Sequence, residues 1–341
     1  MNSTAGQNFK FKMKKKIDYF KFRVPWGPHR RISDNDKKSF EKVLSVWRPE
    51  GEKPAFIIRW TITKWCNYSC PYCPQQHERF ARRGNYTAHA FDNFALKKWC
   101  EAFSQHFHDS RLSLVITGGE PMIDKKNMVP LLKELTSMKT VECIRIDTNA
   151  SWNPKNYREV DPEKIIFMCT YHPSQNSKES FFLSIRQMLD LGFKIGMVNF
   201  VMNRDNFDLF PGLKRNMLEL GIILHPNPLW NSKGKYLEAD KSVLREELPP
   251  EDYEYRTQTV SPFKKKCLFP SIAYEMDQTA QIHVGCHPGV SGSFFDKRLP
   301  TLFSGPVPCP KKSCMCLDMY SFLEDVNRNT DINPFLVYLN V

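Results

Sequence analysis

No stretch of this 341-residue sequence approaches the roughly 18 consecutive apolar residues of a membrane-spanning helix, so no such span is expected. Behind the basic start MNSTAGQNFKFKMKKK there is neither an apolar segment nor a small-residue cleavage site. No secretory signal is expected, and a cytoplasmic, reducing compartment is. The chain also lacks internal repeats and low-complexity segments, and with 41% hydrophobic and 25% charged residues it is not a disordered chain. Its length points to about two domains. An even cysteine count is missing too: eleven is an odd number for a disulfide framework, and clustered thiols in a reducing compartment bind metal or do chemistry.

The net charge is +12. Residues 1–31 hold nine Lys or Arg against Asp18 alone, so +8 of that excess lies in one terminal segment. The remainder carries only +4, which disfavours nucleic acid as a partner. The arm is read as a solvated segment or as a dock for an acidic partner.

From position 55 short β-rich runs alternate with helical patterns, the signature of parallel βα units. Strands are expected over 55–63, 111–117, 141–148, 164–170, 194–202 and 222–229. Helices are expected over 87–108, 127–138, 177–191 and 206–220. Six units fall short of the eight that close a TIM barrel, so the expected fold is α/β, a partial (β/α)6 TIM-like barrel with its active site at the C-terminal ends of the strands. The expected division is a basic extension over 1–54, the barrel over 55–230, a charged linker over 231–260 and a small cysteine-rich unit over 261–330.

Cys66, Cys70 and Cys73 form C-x3-C-x2-C in KWCNYSCPYCP, directly after the first strand. Three thiols so placed suit one face of an iron–sulfur cluster and leave one corner without a protein ligand. Zinc is the competitor, with His77 as the only obvious fourth ligand. The second strand ends in Gly118-Gly119-Glu120-Pro121. The glycines there permit close backbone approach to a ligand, and Glu120 can accept from an ammonium group.

Together the two motifs resemble those of the radical S-adenosylmethionine (radical SAM) superfamily, including an aromatic residue, Tyr72, before the third cysteine. The resemblance implies that Cys66, Cys70 and Cys73 hold a 4Fe-4S cluster whose fourth iron is chelated by S-adenosylmethionine. It also implies reductive cleavage of that cofactor to a 5′-deoxyadenosyl radical, which abstracts hydrogen from a substrate. Tyr72, Gly118, Gly119, Glu120 and Pro121 are the implied cofactor contacts. Asn149, in Asp147-Thr148-Asn149-Ala150, joins them, although Ala150 stands where the family has glycine. Asn199 and Asn203 are further candidates for the cofactor's ribose, with turn or capping roles equally open.

Downstream, Cys267, Cys286, Cys309, Cys314 and Cys316 resemble a Twitch or SPASM auxiliary-cluster region, which implies one auxiliary 4Fe-4S cluster; a structural zinc knot is the alternative. Gln281 stands where that region has a hairpin glycine. Cys100 and Cys143 read as core thiols. Cys169 sits near the end of the fourth strand, where a thiol can donate hydrogen or pack as a small hydrophobe. Tyr171 and His172 follow it and are read as facing the cavity. The expected activity is oxidation or epimerisation of a small polar substrate; peptide modification, tRNA modification and a non-catalytic iron–sulfur or zinc protein are the alternatives. An acidic electron donor such as a flavodoxin or ferredoxin is the expected protein partner.

Overall fold

The computed structural model describes residues 53–73, 96–229, 236–248, 250–314 and 322–323. Nearly all of the expected N-terminal extension, together with His77 and Cys316, lies outside them. Six parallel strands stand side by side in chain order: β1 (Ala55–Thr63), β2 (Arg111–Gly118), β3 (Val141–Thr148), β4 (Ile165–Tyr171), β5 (Lys194–Met202) and β6 (Leu224–Pro228). Crossovers of one hand between consecutive strands put their helices on one side of the sheet. The sheet stays open, with β6 at its edge. This is the α/β partial barrel expected from the alternating pattern.

The crossover helices are α1 (Leu96–Phe107), α2 (Lys125–Ser137), α3 (Lys178–Asp190) and α4 (Phe210–Glu219). Their starts follow local chemistry. Asp124 accepts from the Asn127 amide to cap α2, and Ser177 accepts from the Ser180 amide to cap α3. In α3 the buried residues Phe181, Phe182, Ile185 and Met188 recur at helical spacing. Between β3 and β4 a single 3-10 turn, Pro154–Tyr157, stands in for a helix. There Trp152 packs on Phe167 at 5.2 Å and on Tyr157 at 4.9 Å, so aromatic bulk fills the helical layer.

Strand alternation divides the sheet into two unlike faces. The helix side carries Ile58, Trp60, Leu114, Ile146, Phe167 and Phe200 in one continuous core, with Trp60 and Trp99 4.5 Å apart between ring centres. On the opposite, inner face stand Arg59, Arg145, Asp147, Thr170 and Asn199, interrupted by a small apolar patch of Met168, Met197 and Ile223. That polar face is where a ligand has room for hydrogen bonds.

The charged stretch expected as a linker forms α5 (Glu238–Glu247) and α6 (Pro250–Arg256). Leu244, Leu248 and Tyr255 are buried, and Asp252 and Arg256 with them, so the stretch packs as two short helices. The C-terminal strands follow: β7 (Lys266–Cys267), β8 (Ala273–Met276), β9 (Gln281–Val284), β10 (His287–Ser293) and β11 (Val307–Pro308). β8 pairs in parallel with β1, from Ile57 opposite Ala273 to Trp60 opposite Met276. β9 and β10 extend it antiparallel, giving one nine-stranded sheet. Ala280 rather than a glycine takes the left-handed conformation in the β8–β9 turn, at φ 65°. A second core sets Phe269, Ile272 and Tyr255 against Ile57 and Val115 of the inner face.

This continuity has a testable consequence. A chain ended after Leu248 exposes the edge of β1 and uncovers Ile57 and Val115. It is expected to lose its cooperative thermal transition and to associate, as read by circular dichroism melting and size-exclusion chromatography; a monomeric truncation melting like the full chain would contradict the shared core.

Candidate active site

Backbone hydrogen bonds fasten the loop after β1 to the end of β2. Gly119 donates its amide to the Thr63 carbonyl at 2.8 Å, and Glu120 donates to the Trp65 carbonyl at 2.7 Å. A Cβ on Gly119 would lie 1.7 Å from the Trp65 oxygen, and one on Gly118, at φ +146°, 2.0 Å from the Thr63 oxygen. The approach expected toward a ligand is thus made first toward the cysteine loop: no side chain fits where the two segments touch. Pro121 follows as the buried first residue of the 3-10 turn Pro121–Ile123.

Glu120 is 1% exposed. Its Oε1 accepts from the Met122 amide at 3.1 Å and the Thr148 hydroxyl at 2.7 Å, while Oε2 accepts from the Asn149 amide at 2.5 Å. This carboxylate joins the end of β2 to the end of β3. Burial raises its pKa from 4.5 to about 7, against the three hydrogen bonds that lower it.

The end of β3 in turn meets the cysteine loop. Asn149 Nδ2 donates to Asn67 Oδ1 at 3.1 Å and lies 3.7 Å from Cys66 Sγ, which also accepts from the Tyr68 amide at 3.4 Å. Ala150 adopts φ 55° and is fully buried, so the left-handed turn associated with glycine persists despite the methyl group. From the end of β4, His172 Nδ1 and the Tyr72 hydroxyl share a 2.9 Å hydrogen bond, with the two rings stacked and Tyr68 edge-on to the imidazole. Burial, first, and the neighbouring Cys70 raise the Tyr72 pKa, so its hydroxyl keeps its proton. Gln175 accepts from the Ser69 amide at 3.0 Å. Cys66, Tyr72, Asn149 and His172 therefore converge at the C-terminal mouth, as expected for a site built on strand ends.

Two expected residues are not with them. Cys169 is fully buried on the helix side, and Tyr171 packs 4.9 Å from Phe181 of α3. Alternation sets both on the side away from Met168 and Thr170, which gives Cys169 its packing role in place of hydrogen donation and corrects the reading of Tyr171 as facing the cavity. Asn199 does lie on the inner face, opposite Thr170 and His225 in the sheet register, and its buried Oδ1 has no hydrogen-bond partner among the described residues. Asn203 serves its own turn, donating its backbone amide to Asn206 Oδ1 at 2.8 Å. Ser151 and Gln175 belong to the site without any motif to mark them, and Asn67 stands at a variable position inside the cysteine motif. Arg145 and Asp147, paired at 2.9 Å, were accessible to a period-2 reading of β3, because they alternate with Ile144 and Ile146.

None of the ten described cysteines forms a disulfide. Cys267, Cys286, Cys309 and Cys314 line one cavity of about 310 Å³, together with Arg59 and Glu275. Burial pushes the Cys267 thiol up to about 12, so a bound cation would have to displace its proton. Among the described residues no group of three or more Cys, His, Asp or Glu side chains is arranged to hold a metal ion. What the structure offers is donor chemistry alone: three thiols on one loop at the mouth and four round one cavity, both soft sulfur sets.

No family model and no curated protein matches the chain. Among solved structures, native anSMEcpe with bound AdoMet and Cp18Cys peptide is similar with a TM-score of 0.49 and 11% identity over 71% of this chain and 78% of that one. BtrN in complex with AdoMet and 2-DOIA is similar with a TM-score of 0.32 and 14% identity over 72% of this chain and 76% of that one.

Two substitutions probe the knot of loops. Gly119→Ala is expected to destabilise the fold by several kcal/mol or to displace the Trp65 carbonyl, read by denaturant unfolding, because its Cβ has no space. For Glu120 the folded pKa of about 7 exceeds the ordinary 4.5, so its stabilising contribution is full below pH 4.5 and is lost as pH rises through 7. The loss is on the order of 3 kcal/mol. Glu120→Gln should remove that slope while lowering stability at acidic pH, since an amide NH2 cannot accept from the donors around it; an unchanged slope in metal-free protein would show that Glu120 does not titrate there.

Proposed function

We propose that this chain is a radical SAM enzyme acting on a small polar substrate by hydrogen abstraction, in oxidation or epimerisation. The convergence of Cys66, Tyr72, Asn149 and His172 from three strand ends carries the reading. The residues fit the cofactors: Cys66, Cys70 and Cys73 would hold a 4Fe-4S cluster, and Cys267, Cys286, Cys309 and Cys314, with Cys316 beyond the described residues, offer thiols for an auxiliary one. The chemistry such a cluster with bound S-adenosylmethionine supplies is one-electron cleavage of the sulfonium and hydrogen abstraction from a neighbouring molecule.

The chain's own residues prepare the place. Asn149 and the Tyr68 amide direct N–H groups at Cys66 Sγ, which orients that sulfur and disperses negative charge on it. His172 fixes the Tyr72 ring beside the loop, so an apolar face is presented without a free rotor. Glu120 and the two glycines hold the strand ends in register beneath. On the inner face Thr170, Asn199 and the Arg145–Asp147 pair offer donors and acceptors of both kinds, which favours a small hydrogen-bonding substrate over an apolar one.

Anaerobic reconstitution with iron, sulfide, S-adenosylmethionine and a strong reductant should yield 5′-deoxyadenosine. The triple substitution Cys66→Ala, Cys70→Ala, Cys73→Ala is expected to abolish that product and to remove about one cluster's iron while the C-terminal metal stays. Full iron and full cleavage in the variant would refute the assignment of the loop. Iron rather than zinc is expected at the C-terminal thiols; stoichiometric zinc lost on Cys267→Ala, Cys309→Ala substitution would identify a structural knot there instead.

A further inference from the structure

The helices α5 and α6 frame a cavity that the proposed chemistry does not use. It measures about 570 Å³, an ordinary size for a small-molecule site, and none of its described lining residues belongs to the cysteine loop or to the C-terminal cysteine cavity. Lys241 and Arg245 stand on its wall, four positions apart on α5 and so on one face of that helix. Both cations already hold a carboxylate: Glu238 Oε1 lies 2.6 Å from Lys241 Nζ, and Oε2 lies 3.6 Å from the Arg245 guanidinium. Lys241 first, and then Arg245, lower the Glu238 pKa. That carboxylate is still a weakly held occupant, because its side chain is 75% exposed and an ion pair in water gains little.

The rest of the wall is of a different kind. Tyr236 and Tyr253 supply rings and Leu248 an aliphatic surface. The Arg245 guanidinium lies 5.2 Å from the Tyr253 ring centre, so the charged end and the aromatic wall are contiguous. The Thr257 and Thr259 hydroxyls also reach the cavity, but each directs its proton to a main-chain carbonyl, Thr257 to that of Tyr253 and Thr259 to that of Glu254. What they retain for a ligand is lone pairs.

We propose that this cavity binds a small aromatic carboxylic acid bearing a hydroxyl group, its carboxylate replacing that of Glu238 between Lys241 and Arg245. Each part of the ligand answers a feature of the wall. The two oxygens of Glu238 show that one carboxylate spans both cations. A ring fits beside Tyr253, and a hydroxyl proton meets the threonine oxygens. The Tyr236 hydroxyl donates to the Met202 carbonyl and accepts from the Leu229 amide, so the cavity wall is tied to the ends of β5 and β6. No cysteine or metal takes part, and the inference stands apart from the radical chemistry.

The test titrates 4-hydroxyphenylacetate into the full-length protein and follows binding by calorimetry. Saturable binding is expected. The Lys241→Gln, Arg245→Gln double variant should weaken it by about tenfold or more, and 2-(4-hydroxyphenyl)ethanol, which lacks the charge, should bind the wild-type protein weaker by a similar factor. Phenylacetate, which lacks the hydroxyl, should also bind less well. Glu238→Gln removes the competing carboxylate and should tighten binding by about threefold, a gain that a damaged fold does not produce. Circular dichroism melting checks each variant, and the single substitutions serve if the double one fails to fold. Absence of saturable binding, an unchanged affinity in the Lys241 and Arg245 variants, or weaker binding in Glu238→Gln would overturn the proposal. Phenyl phosphate binding about tenfold more tightly than the carboxylate would overturn the ligand class.

Discussion

The mouth of the barrel depends on one backbone contact, that of Gly118-Gly119 with the carbonyls of Thr63 and Trp65. Everything placed on the cysteine loop inherits its position from this seam. A hydrogen bond between main chains has a fixed direction and little slack, so it locates three thiols better than flexible side chains would. The absence of two β-carbons is what permits it. Glu120 then carries the constraint sideways, because a buried carboxylate with three donors around it cannot leave without stranding each of them.

Sheet alternation does the remaining sorting. A parallel sheet covered by helices on one side needs large apolar groups there, and Trp60, Phe167 and Phe200 meet that need. The same strands place Arg59, Arg145, Asp147, Thr170 and Asn199 on the other side, where, among the described residues, Tyr255 of α6 and the C-terminal unit cover the part of the face around Ile57 and Val115. Polarity inside the barrel is therefore the complement of a well-packed exterior. Cys169 illustrates the rule, since one step along β4 separates a hydrogen donor from a core methyl substitute.

Much of this was readable from residue order. The β1, β3 and β5 runs coincide with the strands formed, because β-branched and aromatic residues between turn signals have few other uses. The two motifs and the Asp147–Ala150 turn brought Cys66, Tyr72, Gly119 and Asn149 together because each segment follows a strand of one sheet. What escaped was relational. The partner of Glu120 is set by loop closure in space, and Gln175 reaches Ser69 across 106 positions with no local pattern to announce it. The segment over 238–256 read as linker because short polar helices and linkers share a composition, and the buried Leu244, Leu248 and Tyr255 mark the difference. Ala150 shows the reverse case: a residue that breaks a motif in letters keeps it in backbone angle.

The pairing of β8 with β1 has a consequence for synthesis. Arg59 finds Glu275 across 216 positions, so the strand from which the cysteine loop springs leaves the ribosome long before its second neighbour exists. Until then β1 offers a bare edge, and the inner face beside it lacks Phe269 and Ile272. Delivery of metal to the mouth of a nascent chain would meet a half-built cradle. The order of assembly is thereby imposed by topology: the last third of the polypeptide must arrive before the first strand is finished.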